Sequence, residues 1–476
     1  MRTWSKYQLA VFENVANGTG HTVVNAVAGS GKTTTIEAAV DYIPVGLKNL
    51  FVAFNKSIAT ELGRRLAGKP VEVSTLHSYG LKCVTAALGR RTIDAHRVDG
   101  FCRALHGDKR ETFELRRDLA KVVSLAKGAL ATEEEEIDVI IDAFDIDSAK
   151  GNRTFVQDVL RLLEQCLTAD DGKIDFDDMI WLPIALQLKQ RTYDRVFVDE
   201  TQDLNAAQIE LTLRACKPGG RILAVGDPRQ AIYGFRGADE HAFENVKEQL
   251  DATELPLSVC YRCCQAVVHR AQRIVPAIEA APGAEEGEVR VASYQEMRRD
   301  AESGDFILSR TNAPLVSLCM GFLSEHRRAA IQGRDVGASL AALVKKSKAR
   351  DVDQLRTWIE LWSAQECARL AAKNRDTQAV EDKAGCILAI SEGAVSVEDV
   401  LARIESLFSD TRDEERIVLS STHKAKGLER DTVWLLRDTY CRRPEIEEQN
   451  LLYVAITRAK RTLVLVEGLG KDAVQS

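Results

Sequence analysis

A glycine-rich turn follows the first apolar run of the sequence, and the segment reads TVVNAVAGSGKTTT. The β-branched run Thr22–Val24 is typical of a strand, and a helix-compatible segment begins at Lys32. Successive backbone N–H groups in such a turn can bind an anion, and a helix N-terminus behind them adds a favourable dipole. The positions that could contact a nucleotide are Ala28, Gly29, Ser30, Gly31, Lys32, Thr33 and Thr34. Lys32 would reach the β- and γ-phosphates and Thr33 would bind Mg²⁺. The alternative is a turn that only links strand to helix.

Two adjacent acidic residues, Asp199 and Glu200, follow the buried-type strand Arg195–Val198. A carboxylate at a strand end can hold Mg²⁺, and its neighbour can take a proton from an attacking water molecule. A further strand, Arg221–Val225, leads to Gln230, whose amide could sense a γ-phosphate. Together with the glycine-rich turn, these residues predict a site that hydrolyses a nucleoside triphosphate.

Aromatic and polar side chains follow other predicted strands. Phe54 and Asn55 lie at the end of an apolar run that begins at Asn49, and His77 follows the strand Val71–Thr75. Side chains at the carboxyl ends of parallel strands lie where ligands bind, although these three could equally be ordinary loop residues.

A second pair of aromatic residues, Tyr233 and Phe235, follows Gln230 and is flanked by glycine and Arg236. Exposed rings beside cationic groups are surfaces on which nucleic-acid bases can stack. Packing in the core is the alternative for both rings.

The overall composition is that of an ordinary globular protein, with 476 residues, 45% hydrophobic residues and a net charge of −7. A chain of this length predicts two to four domains. Neither an apolar leader nor a membrane-length apolar run is present, which favours a cytoplasmic protein, or a nuclear one in a eukaryotic host. The scattered cysteines indicate reduced thiols. A net negative charge does not exclude nucleic acid, because a local basic groove suffices.

The ordered set of motifs resembles superfamily 1 DNA helicases of the UvrD/Rep/PcrA group, in a short form related to the F-box helicase branch and to phage and bacterial relatives. The segments that carry the resemblance are Gln8, Ala28–Thr33, Leu76–Ser78, Phe176–Asp178, Asp199–Asp203, Gly226–Asp239, Tyr261–Arg262, Thr422–Glu429 and Tyr453–Lys460. The sequence departs from the family pattern at Val27, Thr34 and Cys260 and lacks the threonine usual between Phe54 and Asn55.

The resemblance implies an α/β protein with two RecA-like P-loop domains, each containing a parallel sheet and interrupted by a mostly helical insertion. The expected segments are 1–81 and 168–250 for the first domain, 82–167 for its insertion, 251–330 and 411–476 for the second domain, and 331–410 for its reduced insertion.

The resemblance also implies roles for individual residues, with ATP and Mg²⁺ as cofactors. Around the nucleotide, Gln8 would read adenine, Tyr261 would stack on it, and Glu429, near Gly427, would bind the ribose. The metal would lie between Thr33 and Asp199, with Glu200 activating water. The γ-phosphate would be contacted by Lys32, Gln230, Arg262 and Arg458. Residues expected to face DNA are Phe54, Asn55, His77, Tyr233, Phe235, Arg236 and His423.

By this resemblance we expect a monomeric, ATP-dependent DNA helicase that moves 3′ to 5′ on single-stranded DNA and unwinds duplex. It would also bind junctions between single-stranded and duplex DNA. We expect it to act in DNA repair, recombination or replication, with replication or recombination proteins as possible partners. One alternative is a translocase that strips proteins such as recombinase filaments from DNA with little unwinding. A non-enzymatic DNA-binding regulatory module is the other alternative, and the complete set of nucleotide-site residues argues against it.

Overall fold

The computed structural model describes residues 3–53, 55–232, 241–372, 376–408, 415–440 and 446–468. Four of the residues expected to face DNA, namely Phe54, Tyr233, Phe235 and Arg236, lie outside the described residues. The chain forms two compact units, Met1–Ser258 and Val259–Ser476. Each unit contains a six-stranded parallel sheet, which confirms the α/β fold with two RecA-like domains.

The first unit is organised by a sheet whose strand order is unlike the order of the strands in the chain. Its strands, with the two short ones of a separate pair, are β1 (Thr22–Ala26), β2 (Asn49–Ala53), β3 (Val71–Thr75), β4 (Thr92–Ile93), β5 (Lys173–Ile174), β6 (Tyr193–Val198), β7 (Cys216–Gly226) and β8 (Thr253–Leu257). In space the order is β3-β2-β6-β7-β1-β8, and β4 pairs with β5. Strand β7 therefore lies between β1 and β6.

Both faces of this sheet are covered by apolar packing, because neighbouring residues of each central strand point to opposite sides. Val23 belongs to one buried cluster and Val24 to another, and Leu50 and Phe51 divide in the same way. A strand that is buried on both faces reads as a continuous apolar run, which is why the sequence reveals these strands.

Helices cover the sheet and form an insertion between β3 and β6. They are α1 (Lys6–Asn17), α2 (Lys32–Ala39), α3 (Lys56–Arg65), α4 (Leu76–Leu88), α5 (Arg97–His106), α6 (Phe113–Ala129), α7 (Glu134–Ala143), α8 (Phe155–Thr168), α9 (Asp178–Ala185), α10 (Ala206–Ala215) and α11 (Ala242–Gln249). The insertion has a core of its own, in which Leu119, Val122 and Phe155 are fully buried.

The first unit ends later than the sequence pattern suggests. Strand β8 pairs in parallel with β1, with Thr22 opposite Thr253 and Ala26 opposite Leu257. The division between the units consequently falls after residue 258 and not after residue 250, because the strand at the edge of the first sheet follows the last of its helices.

The second unit repeats the arrangement with a sheet in the order β11-β16-β15-β12-β14-β13 and a short pair of β9 with β10. Its strands are β9 (Val259–Cys260), β10 (Glu279–Ala280), β11 (Glu288–Ser293), β12 (Phe306–Ser309), β13 (Ala329–Ile331), β14 (Ile417–Ser421), β15 (Arg430–Leu436) and β16 (Ala459–Glu467). Its helices are α12 (Gln265–Ala271), α13 (Tyr294–Asp300), α14 (Ala313–Ser324), α15 (Arg334–Ser347), α16 (Val352–Ala371), α17 (Gln378–Ser391), α18 (Val397–Leu407), α19 (Thr422–Ala425) and α20 (Ile446–Ile456).

The insertion of the second unit consists of α15 to α18, between β13 and β14. It is joined to α14 by Asp382 of α17, whose carboxylate accepts hydrogen bonds from the backbone N–H groups of Asn312 and Ala313, each over 2.7 Å. Those amides lie at the start of α14, where a helix leaves N–H groups without acceptors.

Among the described helices, none is both long enough and apolar enough to cross a membrane. The cysteines within the described ranges are all free thiols, as their scattered positions in the sequence suggest.

Candidate active site

The glycine-rich turn after β1 leads directly into α2, as the sequence predicts. Gly29 and Gly31 have φ values of 69° and 76°, in the left-handed region that favours glycine, and Gly31 caps the helix. The Ser30 side chain is fully buried, and its hydroxyl oxygen has no hydrogen-bond partner among the described residues. A buried hydroxyl without a partner beside the first amides of a helix suits a phosphate group.

Two contacts join this turn to the acidic end of β6. The Thr33 hydroxyl donates to Asp199 Oδ2 over 2.7 Å, and Lys32 Nζ lies 3.7 Å from Glu200 Oε2. Residues that are far apart in sequence thus meet at one edge of the sheet, where the carboxyl ends of β1 and β6 lie on either side of β7.

The Thr33 and Asp199 oxygens form a pair that fits Mg²⁺, which prefers hard oxygen ligands and retains several water molecules. Asp199 is almost completely buried, and this burial together with the neighbouring Glu200 carboxylate raises the pKa of Asp199 to about 6. A divalent cation beside Asp199 would favour its charged form. Within the described ranges, no three histidine, cysteine or acidic side chains form a cluster that would hold a metal without help from phosphate or water.

A buried chain of hydrogen bonds, which the sequence does not reveal, continues from Glu200 into the loop after β7. Gln202 Nε2 donates to Glu200 Oε2 over 2.6 Å, and the Asp227 backbone N–H donates to Gln202 Oε1 over 3.0 Å. Gln230 Nε2 then donates to Asp227 Oδ2 over 2.5 Å. Burial raises the pKa of Asp227. The sequence places Gln202 in the motif Asp199–Asp203 but does not predict this contact.

Gln8 has partners within its own unit. Its side-chain oxygen accepts from the Ser5 N–H and forms a capping box with it at the start of α1. Its amide nitrogen donates to the Thr35 hydroxyl on α2 over 3.0 Å. Gln8 therefore joins α1 to α2, the helix that follows the glycine-rich turn, and its role toward adenine stays a prediction.

In the second unit, Glu429 lies between two cations. It pairs with Arg262 and, over 3.2 Å, with Lys460. Burial opposes the ionisation of Glu429, but these charges outweigh it and hold the pKa of Glu429 below its usual value. Tyr261, the residue before Arg262, exposes 46% of its surface, as a ring that stacks on a base must. Gly427 has a φ of 84°.

Arg458 is the most enclosed of the predicted site residues in this unit, with 1% of its surface exposed. Its guanidinium donates to the backbone carbonyl oxygens of Val454 and Leu428 over 2.9 and 3.1 Å. Burial and the nearby Arg262 charge lower the pKa of Arg458 to about 10. The carbonyl contacts fix the side chain at the end of α20.

The described residues that were expected to face DNA have local roles as well. The Asn55 side chain accepts from the Ile58 N–H over 2.9 Å and caps α3. His77 is half-buried at the start of α4, and burial lowers its pKa although the Asp177 carboxylate raises it. His423 is half-buried in α19. Their contacts with DNA stay predictions.

A groove of about 580 Å³ beside α6 was not foreseen from the sequence. It is lined by two exposed rings, Phe113 and Phe176, with 57% and 54% of their surfaces exposed. Ser124 and Asp177 also line it and are joined by a hydrogen bond of 2.6 Å. The other polar side chains that line it are Arg103, Arg117, His96, Asp99 and Asp175.

Comparison with known families agrees with this geometry. The UvrD/REP helicase N-terminal domain matches residues 8–251, more than half of the chain, and the UvrD-like helicase C-terminal domain matches residues 416–466. The chain belongs to the UvrD/Rep helicase family. The N-terminal match contains the glycine-rich turn and the two acidic residues that follow β6, and the C-terminal match contains Glu429 and Arg458.

Individual members of the UvrD/Rep family are similar over different lengths. F-box DNA helicase 1 of Gallus gallus is 24% identical over 94% of this chain and 47% of its own length. F-box DNA helicase protein 1 of Schizosaccharomyces pombe is 28% identical over 59% of this chain and 34% of its own. The ATP-dependent DNA helicase PcrA of Staphylococcus aureus is 25% identical over 55% and 39%. The chain thus matches less than half the length of each of these relatives.

Proposed function

We propose that this protein is an ATP-dependent DNA helicase that moves on single-stranded DNA. The observation that carries the proposal is the meeting of Lys32 and Thr33 with Asp199 and Glu200 at one sheet edge. A structural turn would not need a buried serine hydroxyl without a partner, or two carboxylates facing a lysine and a threonine.

In the first unit, the phosphates of ATP would lie on the turn, where the backbone of Gly29 to Gly31 and the start of α2 face them. Lys32 would stabilise charge on the β- and γ-phosphates. Thr33 and Asp199 would hold Mg²⁺, which when bound neutralises phosphate charge. Glu200 would take a proton from the attacking water, and Gln230 would contact the γ-phosphate.

In the second unit, Arg262 and Arg458 would supply positive charge to the transferring phosphoryl group. Tyr261, which is exposed, would stack on adenine, and Glu429 would bind the ribose. To contact the γ-phosphate, the Arg262 guanidinium would have to loosen its ion pair with Glu429. A change in nucleotide state would then alter the ion pair, which links hydrolysis to rearrangement within this unit.

Single-stranded DNA is the nucleic acid along which we propose that the protein moves. The groove with Phe113 and Phe176 supports this, because exposed aromatic rings are surfaces on which bases can stack whatever the sequence. Movement from 3′ to 5′ is proposed from the family resemblance, and the names of the similar helicases support DNA as the substrate.

Strand displacement tests the proposal directly. Matched duplexes with a 3′ or a 5′ single-stranded tail are incubated with the protein and ATP, and hydrolysis is followed in the same reactions. Displacement only from the 3′ tail is the expected result. ATP hydrolysis that single-stranded DNA stimulates, without displacement on either substrate, would indicate a translocase that clears proteins from DNA. An ATP hydrolysis rate that is the same with and without single-stranded DNA would overturn the proposal.

A further inference from the structure

The side chain of Gln202 bridges two loops of the candidate active site. It is 1% exposed and lies in the 3₁₀ turn Thr201–Asp203 after β6. The orientation of its amide follows from its partners, since a backbone N–H can only donate and an ionised carboxylate can only accept. The amide nitrogen therefore faces Glu200 and the amide oxygen faces the Asp227 N–H.

We infer that Gln202 is a positioning residue, which fixes the Glu200 carboxylate for proton abstraction and ties it to the loop that carries Gln230. This inference rests on the proposed ATP hydrolysis. A hydrogen bond to Glu200 Oε2 restricts rotation of the carboxylate about its last bond, and the same oxygen lies 3.7 Å from Lys32 Nζ. No contact of Gln202 with nucleotide is needed.

The backbone around Gln202 supports the inference independently. Glu200 has a φ of 53° and a ψ of 44°, a left-handed conformation that is costly for a residue with a side chain. Such a conformation persists only where its surroundings hold it. Two further bonds do so here, from the Asp203 N–H to the Glu200 carbonyl oxygen over 3.0 Å and from the Thr201 hydroxyl to the Val225 carbonyl oxygen over 3.0 Å.

The partner loop is built around the same side chain. A Cβ atom added to Gly226 would lie 2.7 Å from Gln202 Oε1 and 3.1 Å from the Phe243 ring. Only glycine allows β7 to end this close to Gln202. The bridge thus depends on the absence of a side chain at Gly226 and on an amide of the right length in the turn after β6.

Two substitutions distinguish the hydrogen bond from Gln202 to Glu200 from the bond that Gln202 accepts from the Asp227 N–H. Gln202→Glu keeps an oxygen to accept from the Asp227 N–H but replaces the donor to Glu200 with a second carboxylate oxygen. Gln202→Met has a similar length and removes both hydrogen bonds. A matched control is Gln157→Glu on α8, since Gln157 Nε2 also donates to a glutamate, Glu134, over 2.7 Å, in the helical insertion and on the surface.

The experiment measures kcat and KM for ATP with saturating oligo(dT), the Kd of a fluorescent ADP analogue, and the thermal unfolding midpoint of each variant. Both Gln202 variants are expected to lower kcat by about 10–100-fold with little change in the Kd, as for groups that orient catalytic side chains. Gln157→Glu is expected to match the wild type.

Two results would overturn the inference. One is an unchanged kcat in both Gln202 variants while the wild type hydrolyses ATP, which leaves the proposed function intact. The other is a fall in kcat that is matched by equal losses of ADP affinity and thermal stability, which would make Gln202 a purely structural residue. Absence of hydrolysis in the wild type would overturn the proposed function together with this role.

Discussion

The hydroxyl of Thr33 and the carboxylate of Asp199 share a hydrogen bond of 2.7 Å although 166 positions separate them in the chain. This bond joins the first turn of α2, which follows β1, to the end of β6. In the sheet, β7 lies between β1 and β6. The ligands proposed for Mg²⁺ are therefore already adjacent, and nucleotide would meet a preorganised pair of oxygens.

Replacement of Lys32 tests the phosphate site. Lys32→Ala is expected to lower kcat for ATP by at least about 10²-fold, because an electrostatic group aimed at the transferring phosphoryl is lost. Binding of oligo(dT), measured by fluorescence anisotropy, should be largely retained. Lys82→Ala is the control, since Lys82 also pairs with a glutamate, Glu72, but is mostly exposed. Substantial hydrolysis by Lys32→Ala would show that the turn is only structural.

Arg458 is the subject of a second prediction. Arg458→Ala is expected to retain binding of an ADP analogue but to lower turnover by ~10³-fold, the effect of removing an arginine that stabilises phosphoryl transfer. Arg461→Ala serves as the control because Arg461 lies three residues away, is exposed, and pairs with Glu285 over 3.0 Å. If turnover of Arg458→Ala is near normal, its guanidinium serves only the carbonyl groups that it contacts now.

The groove beside α6 predicts a contribution to DNA affinity. Phe176→Ala should weaken binding of oligo(dT) by about 1–3 kcal/mol if a base stacks on the ring. Anisotropy titrations at fixed salt measure this change, with Tyr42→Ala as a control that removes a partly exposed ring outside the groove. Equal affinities for the two variants would show that no base stacks on Phe176.

A buried ion cluster predicts a large effect on stability. Asp178 is fully buried and pairs with Arg97 over 2.7 Å and with Lys127 over 2.8 Å. Asp178→Ala leaves both cations in the interior with fewer partners, at an expected cost of about 3–5 kcal/mol in the free energy of unfolding. Urea denaturation measures that cost. Asp170→Ala, which removes an exposed partner of Arg91, should cost at most ~1 kcal/mol. Similar transitions for both variants would contradict the prediction.

The parts of the fold that the sequence reveals are those with a local signal. Strands buried on both faces appear as apolar runs, and β2, in which all five residues are buried, begins at Asn49 as the sequence predicts. Strand β8 is harder to assign, because TELPL mixes polar and apolar residues in the way of an edge strand, and only its pairing with β1 places it in the first sheet.

The same distinction applies to the candidate site. The turn at Gly29 to Gly31 can be predicted from the sequence because its positive φ angles favour glycine. The bridge through Gln202 and the cluster around Asp178 depend on residues brought together from distant parts of the chain, which spacing alone cannot show. Gln8 illustrates a different limit, since the Ser-x-x-Gln pattern at Ser5 is a helix-capping signal and the family resemblance predicts contact of the same side chain with adenine.

The position of β7 has a consequence for how the first unit is made. Thr22 of β1 pairs with Leu223 and Thr253, so both neighbours of β1 leave the ribosome long after it does. At a translation rate of about 5–20 residues per second, β7 is synthesised roughly 10–40 s after β1 and the glycine-rich turn. The helical insertion, which has its own apolar core, is synthesised during that interval and can fold first. The nucleotide site, which lies where β1 and β6 flank β7, would therefore be among the last parts of the unit to form.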